Sequence, residues 1–281
     1  MVIMALPRSM CVPSVIVIPR GERRGARCAL RRSEGRRLCN RYGRRMGRTA
    51  PRRRTSRVTS DLSPSVVRML SRQRPRWRGV SHRWAFFLSL PIGVVEVVLA
   101  HGGMAKVALA LFAVGGSFMF GVSALVHLRP WPPARYHRLI QLDHTAIYVC
   151  IAAQAAPVGL LILTGRLRVA VLAVLAVGAL AGVILEWIPF HRPKGLMNTI
   201  FLTLGWFPVV LLPWIYRGTN LLNFALLLAG GACYTAGALV VGAMRPDPWP
   251  ATFGYHEIWH VLVIVAVVLH SVMACRLAGI L

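Results

Sequence analysis

The sequence predicts an all-α integral membrane protein, a seven-transmembrane-helix bundle carrying a disordered basic N-terminal tail. Of the 281 residues 56% are hydrophobic, and the mean hydropathy is +0.58. The apolar residues gather in long blocks, a pattern that excludes an ordinary soluble domain. The formal charge of +26 is unevenly placed, because 23 of the 34 basic residues precede Trp84. Residues 1–76 therefore form a basic arm and residues 77–281 a lipid-embedded body.

The arm holds Arg23-Arg24, Arg31-Arg32, Arg36-Arg37, Arg44-Arg45 and Arg52-Arg53-Arg54, with few aromatics and no apolar periodicity. It cannot bury enough surface to offset its ordering entropy, so disorder is expected. Such a segment is attracted to anionic headgroups, and nucleic acid is the less expected partner. The simplest reading is an extension, with Met46 or Met69 as the start of translation. Residues 1–13 lack a basic n-region and residues 12–19 are short and broken by prolines, so no signal peptide is expected. The six cysteines show neither metal-type spacing nor a disulfide pattern.

Seven apolar runs follow, at 84–100, 107–128, 140–163, 169–188, 197–216, 221–243 and 257–277. Each is close to the ~20 residues that cross a ~30 Å hydrocarbon core. The loops left between them are short, which requires a serpentine bundle. Gly115-Gly116, Gly121, Gly178, Gly182, Gly230-Gly231 and Gly237 are expected to let helices approach closely. Pro91, Pro157, Pro208 and Pro213 should kink or locally open their helices. The basic arm is hard to translocate, so the amino terminus is expected in the cytoplasm and the carboxyl terminus outside. The loop arginines and lysines lean the same way.

With that orientation the end of the second span and the starts of the third and seventh lie on the cytoplasmic side. The residues able to do chemistry sit at those ends: Ser123 and His127, Asp143 and His144, and His256 and His260. His256 and His260, four apart, project from one helix face about 6 Å apart, which is metal-ligand spacing. Three imidazoles with an open position form the pattern of a catalytic zinc that activates water. His127, His256 and His260 are the expected ligands of Zn2+, Asp143 the group that orients water or acts as general base, and Ser123 a supporting or substrate-polarising hydroxyl. Glu257 completes the string H-E-x-x-H, whose glutamate is the base of soluble zinc peptidases, so it rivals Asp143. His144 is expected to pack or to support the site. His82, His101, His137, His191 and His270 are placed elsewhere by this topology and given no role.

Together, RPRWRGVSH at 74–82, SALVH at 123–127, LDHTAIY at 142–148 and RPDPWPATFGYHEIWH at 245–260 resemble the hemolysin III family of bacterial membrane proteins. That family is related to the progestin and adipoQ receptors, which include the adiponectin receptors. The resemblance runs from about residue 74 to the carboxyl terminus and implies seven helices with zinc on three histidines near the cytoplasmic face. These map onto His127, His256 and His260, with Ser123 and Asp143 matching the motif serine and aspartate. In the related receptors the resemblance implies hydrolysis of lipid amides such as ceramides. For the bacterial branch it implies cytolysis or pore formation, or a part in membrane-lipid homeostasis. One departure stands out: the family's Gly-Thr-Tyr-Thr-Pro stretch is here Ala153-Gln154-Ala155-Ala156-Pro157.

The expectation is thus a multi-pass protein of the bacterial inner membrane, partnered by the bilayer and by a lipid substrate. It acts as a zinc-dependent lipid amide hydrolase, or alternatively as a non-enzymatic membrane effector in which zinc is structural.

Overall fold

The computed structural model describes residues 74–189, 193 and 195–281. The arm predicted to be disordered falls, up to residue 73, outside the described residues, and so does His191. The described residues are mainly helical and contain no strand. In chain order the helices are α1 Val80–Leu99, α2 Gly103–Leu128, α3 Pro133–Gln154, α4 Ala156–Leu161, α5 Gly165–Trp187, α6 Leu196–Trp206, α7 Leu212–Gly218, α8 Leu221–Ala243 and α9 Tyr255–Leu277; a 3-10 turn, Phe207–Leu211, joins α6 to α7.

These make seven segments long and apolar enough to cross a membrane, as expected from the sequence. The third comprises α3 and α4, and the fifth comprises α6, the 3-10 turn and α7. Pro157 follows directly on the break between α3 and α4, and Pro208 opens the 3-10 turn that interrupts the fifth. Each proline lacks the N–H that would continue the ladder. Pro91 behaves differently: it lies inside α1, and the helix continues through it. One missing bond among twenty residues is tolerated there.

Several helices begin earlier than hydropathy indicates, and two of those starts, in α1 and α3, are polar. The first turns of α1, through Ser81, His82 and Arg83, and of α3, through Arg135, Tyr136, His137 and Arg138, are polar and therefore hidden in an apolar profile. Pro133 in the first turn of α3 is the local signal that a helix starts there. The earlier start of α1 matters for the site.

Helix α2 is the most enclosed of the seven spans, packed by α1 and α3 and touched by α9, which closes back on α1. Outward residues such as Val98, Val114, Val177 and Leu239 are exposed, as lipid-facing positions are. Small residues permit the closest approaches. A Cβ at Gly115 would lie 2.3 Å from Ala153 Cβ, and one at Gly237 would lie 2.3 Å from Trp259 Cε3. Phe112, Met119, Phe120, Val126, Ala146, Cys150 and Val263 form the apolar floor from which the polar residues of α1, α2, α3 and α9 rise.

Candidate metal centre

The start of α9 is fixed before its histidines are placed. Glu257 reaches back so that its Oε2 accepts from the Gly254 N–H at 2.8 Å, and Asp247 Oδ1 accepts from the Tyr255 N–H at 3.2 Å. These carboxylates satisfy N–H groups that an open helix end leaves unpaired, and their charge suits the helix dipole. At the end of α2, the Arg74 guanidinium donates to the carbonyl of His127. Partial burial, and next the charge of Arg78, lower the Arg74 pKa from its ordinary value.

Residues 74–79 form a strap joining these two helix ends. Arg76 and Trp77 donate backbone N–H groups to the carbonyls of Ala251 (3.0 Å) and Thr252 (3.1 Å), in the loop before α9. Arg78 Nε donates to Glu257 Oε1 at 2.5 Å. Gly79, with φ 77°, closes the strap against α2, where a Cβ would come within 2.8 Å of the His127 carbonyl carbon. Glycine is required there both for the left-handed backbone and for the space.

This scaffold brings together the three expected ligands. One ring nitrogen from each of His127, His256 and His260 lies within 4.8 Å of the others, a set able to hold a metal ion. The rings are inclined to one another by 58–65°, so they converge instead of stacking. His256 Nε2 stands 3.3 Å from His127 Nε2. Two nitrogens held ~2.0–2.1 Å from a tetrahedral zinc are separated by about the same distance. Nδ1 of His260 makes no hydrogen bond among the described residues, although His260 is only 1% exposed. Three converging imidazoles with a spare buried nitrogen fit a borderline-soft cation.

Asp143 joins them from α3, its Oδ2 3.3 Å from His127 Nε2. Ser123 is buried one turn before His127 on α2. His144, on the neighbouring face of α3, points away: its Nδ1 lies 3.3 Å from Oε1 of Glu186, which is fully buried. Gln141 adds a 2.8 Å bond to the Glu186 carbonyl, so His144 belongs to the packing of α3 on α5. Both oxygens of Glu257 are engaged, by Arg78 and by the helix end. It is a scaffold residue, which leaves Asp143 as the carboxylate beside the histidines.

One placement from the sequence is corrected. His82, assigned elsewhere by topology, stacks on His260 with ring centroids 3.8 Å apart and planes inclined by 8°. The apolar run begins at Trp84, but α1 begins at Val80, so His82 lies inside the first helix at the same end as the other histidines. Parity alone could have found it, since the first span also starts on that side. Arg78 was not singled out either; its partner Glu257 lies 179 residues away in the chain.

Seven apolar spans with a three-histidine cluster at one end of the bundle define the class: a polytopic membrane protein with a candidate metal centre. The chain belongs to the haemolysin-III related family, whose profile matches residues 70–271. It is 29% identical over 188 residues to Hemolysin-3 of Bacillus cereus, covering 66% of this chain and 83% of the relative. It is 27% identical, again over 188 residues, to a Hemolysin-3 homolog of Bacillus subtilis (strain 168), covering 66% and 85%.

Proposed function

We propose that this protein is a zinc-dependent hydrolase of lipid amides, set in the bacterial plasma membrane with its amino terminus and histidine centre on the cytoplasmic side. The observation that carries the reading is a carboxylate, Asp143, paired with one of three converging imidazoles above an apolar floor. His127, His256 and His260 would hold the ion. When bound, zinc polarises a carbonyl and makes water a competent nucleophile at neutral pH.

The chain's own residues supply the rest. Asp143 orients the attacking water and takes its proton on a carboxylate oxygen. Water oxygen bonds to the acyl carbon, the C–N bond breaks, and the proton passes to the departing nitrogen, leaving a fatty acid and an amine. Ser123, buried one turn before His127, would orient the acyl oxygen. The strap holds α2 and α9 at fixed separation, so the ligand geometry is set before substrate enters. The bilayer supplies substrate laterally between helices, whose outer faces are apolar.

The test is hydrolysis of a broad panel of lipid amides and esters by purified zinc-loaded protein. Turnover that is lost with a chelator and in Asp143→Asn supports the reading. No cleavage of any member by protein with stoichiometric zinc rejects it.

The names of the two relatives support a second reading, a non-enzymatic membrane effector in which zinc pins α9 to α2. It predicts leakage of dye-loaded vesicles that survives Asp143→Asn and is lost in His256→Ala. Leakage absent from the wild type removes it.

A further inference from the structure

His82 is 2% exposed; its imidazole has a weak interaction with the His260 backbone, and neither ring nitrogen makes a well-formed hydrogen bond among the described residues. A buried imidazole whose nitrogens lack well-formed hydrogen bonds costs on the order of 1–3 kcal/mol. A phenylalanine could make the same stack on His260 and the same edge contact with Phe120, whose centroid is 5.2 Å away, without that cost. Packing therefore does not account for a histidine at this position.

Nor is His82 a fourth ligand of the same ion. Imidazole lone pairs lie in the ring plane, and the planes of His82 and His260 are nearly parallel with centroids 3.8 Å apart. A lone pair of His82 would therefore not be directed at an ion that His260 would hold. Consistent with this, the nitrogens that gather within 4.8 Å come from His127, His256 and His260. What remains for His82 is a polar ring edge beside the histidine cluster, with a nitrogen able to donate a hydrogen bond.

We propose that His82 binds ligand directly: one ring nitrogen donates to an oxygen of the acyl group, amide carbonyl or carboxylate, of a lipid seated beside His127, His256 and His260. The proposal rests on the hydrolase reading for the class of ligand and, for the residue, on the stacked ring without well-formed hydrogen bonds. His82 thereby belongs to the substrate side of the site and not to the metal.

The experiment loads purified full-length protein with cobalt and titrates laurate, following the visible spectrum. His82→Phe keeps an aromatic ring on His260 and removes both nitrogens; His82→Gln restores an amide donor. The expected result is unchanged cobalt stoichiometry in both variants. Laurate should bind about ten-fold more weakly to His82→Phe, the loss expected for one charge-assisted hydrogen bond, with partial recovery in His82→Gln. Laurate binding in His82→Phe equal to wild type overturns the proposal, as does loss of cobalt, which would make His82 a metal ligand. If His82→Phe does not fold, His82→Leu gives the same comparison with His82→Gln. A wild type that binds laurate in a His82-dependent manner but cleaves no amide would reject the hydrolase reading and leave the binding role in place. A wild type that takes up no cobalt removes both.

Discussion

Glu257 shows how a motif and a geometry can point in different directions. In the string His256-Glu257-Ile258-Trp259-His260 it occupies the place of a catalytic base, yet its two oxygens are taken by Arg78 and by the Gly254 N–H. Asp143, with no motif of its own beyond the resemblance, has an oxygen at the histidines. Glu257→Gln should therefore retain zinc and most turnover while losing stability, by about 3 kcal/mol if Arg78 is left without its partner. Asp143→Asn should retain zinc and lose 10²-fold or more in kcat, the usual worth of a general base. Thermal unfolding, metal content and turnover measured on the same two preparations check both. At Gly79 the left-handed backbone and the contact with His127 act together. Gly79→Ala should cost at least ~1–2 kcal/mol for the backbone alone, read as a lower unfolding midpoint in detergent.

The helices themselves were largely legible in the sequence, because a lipid-exposed span must be apolar for its whole length and little else in a chain looks like that. Residues 221–243 were read with the same bounds that α8 has. Polar helix starts were not legible from hydropathy, and that concealed His82 in α1. The meeting of His127 with His256 and His260 was legible from parity, since an odd or even number of crossings decides which ends can meet. The strap was not: Arg74 and Arg78 find partners in α2 and α9, and no local pattern announces a pairing between residues so far apart. Between α8 and α9 the close approach depends on Gly237 lying against Trp259, the residue before His260. Gly237→Ala should force that indole aside at a cost of about 1–3 kcal/mol, lowering both the unfolding midpoint and the zinc content. An unchanged midpoint with full zinc would show that α9 is not positioned by this contact.

For the whole protein, the bundle gathers His82, His127, Asp143, His256 and His260 at one end, while Glu96, Ser271 and Cys275 meet near the ends of α1 and α9 opposite. If the amino terminus is cytoplasmic, a cysteine placed at the exposed Trp249, in the loop before α9, should react with an impermeant thiol reagent only after the membrane is opened. A reporter fused after Leu281 should be active outside; the reverse pattern would put the site on the other face. The proposed reaction and the part proposed for His82 both rest on one prior claim, that three histidines from α2 and α9 hold a metal. Zinc analysis of the purified wild type beside a His256→Ala, His260→Ala double variant tests it most directly. One zinc per chain in the wild type and none in the variant is the predicted result. Equal zinc in both, or none in the wild type, would contradict it.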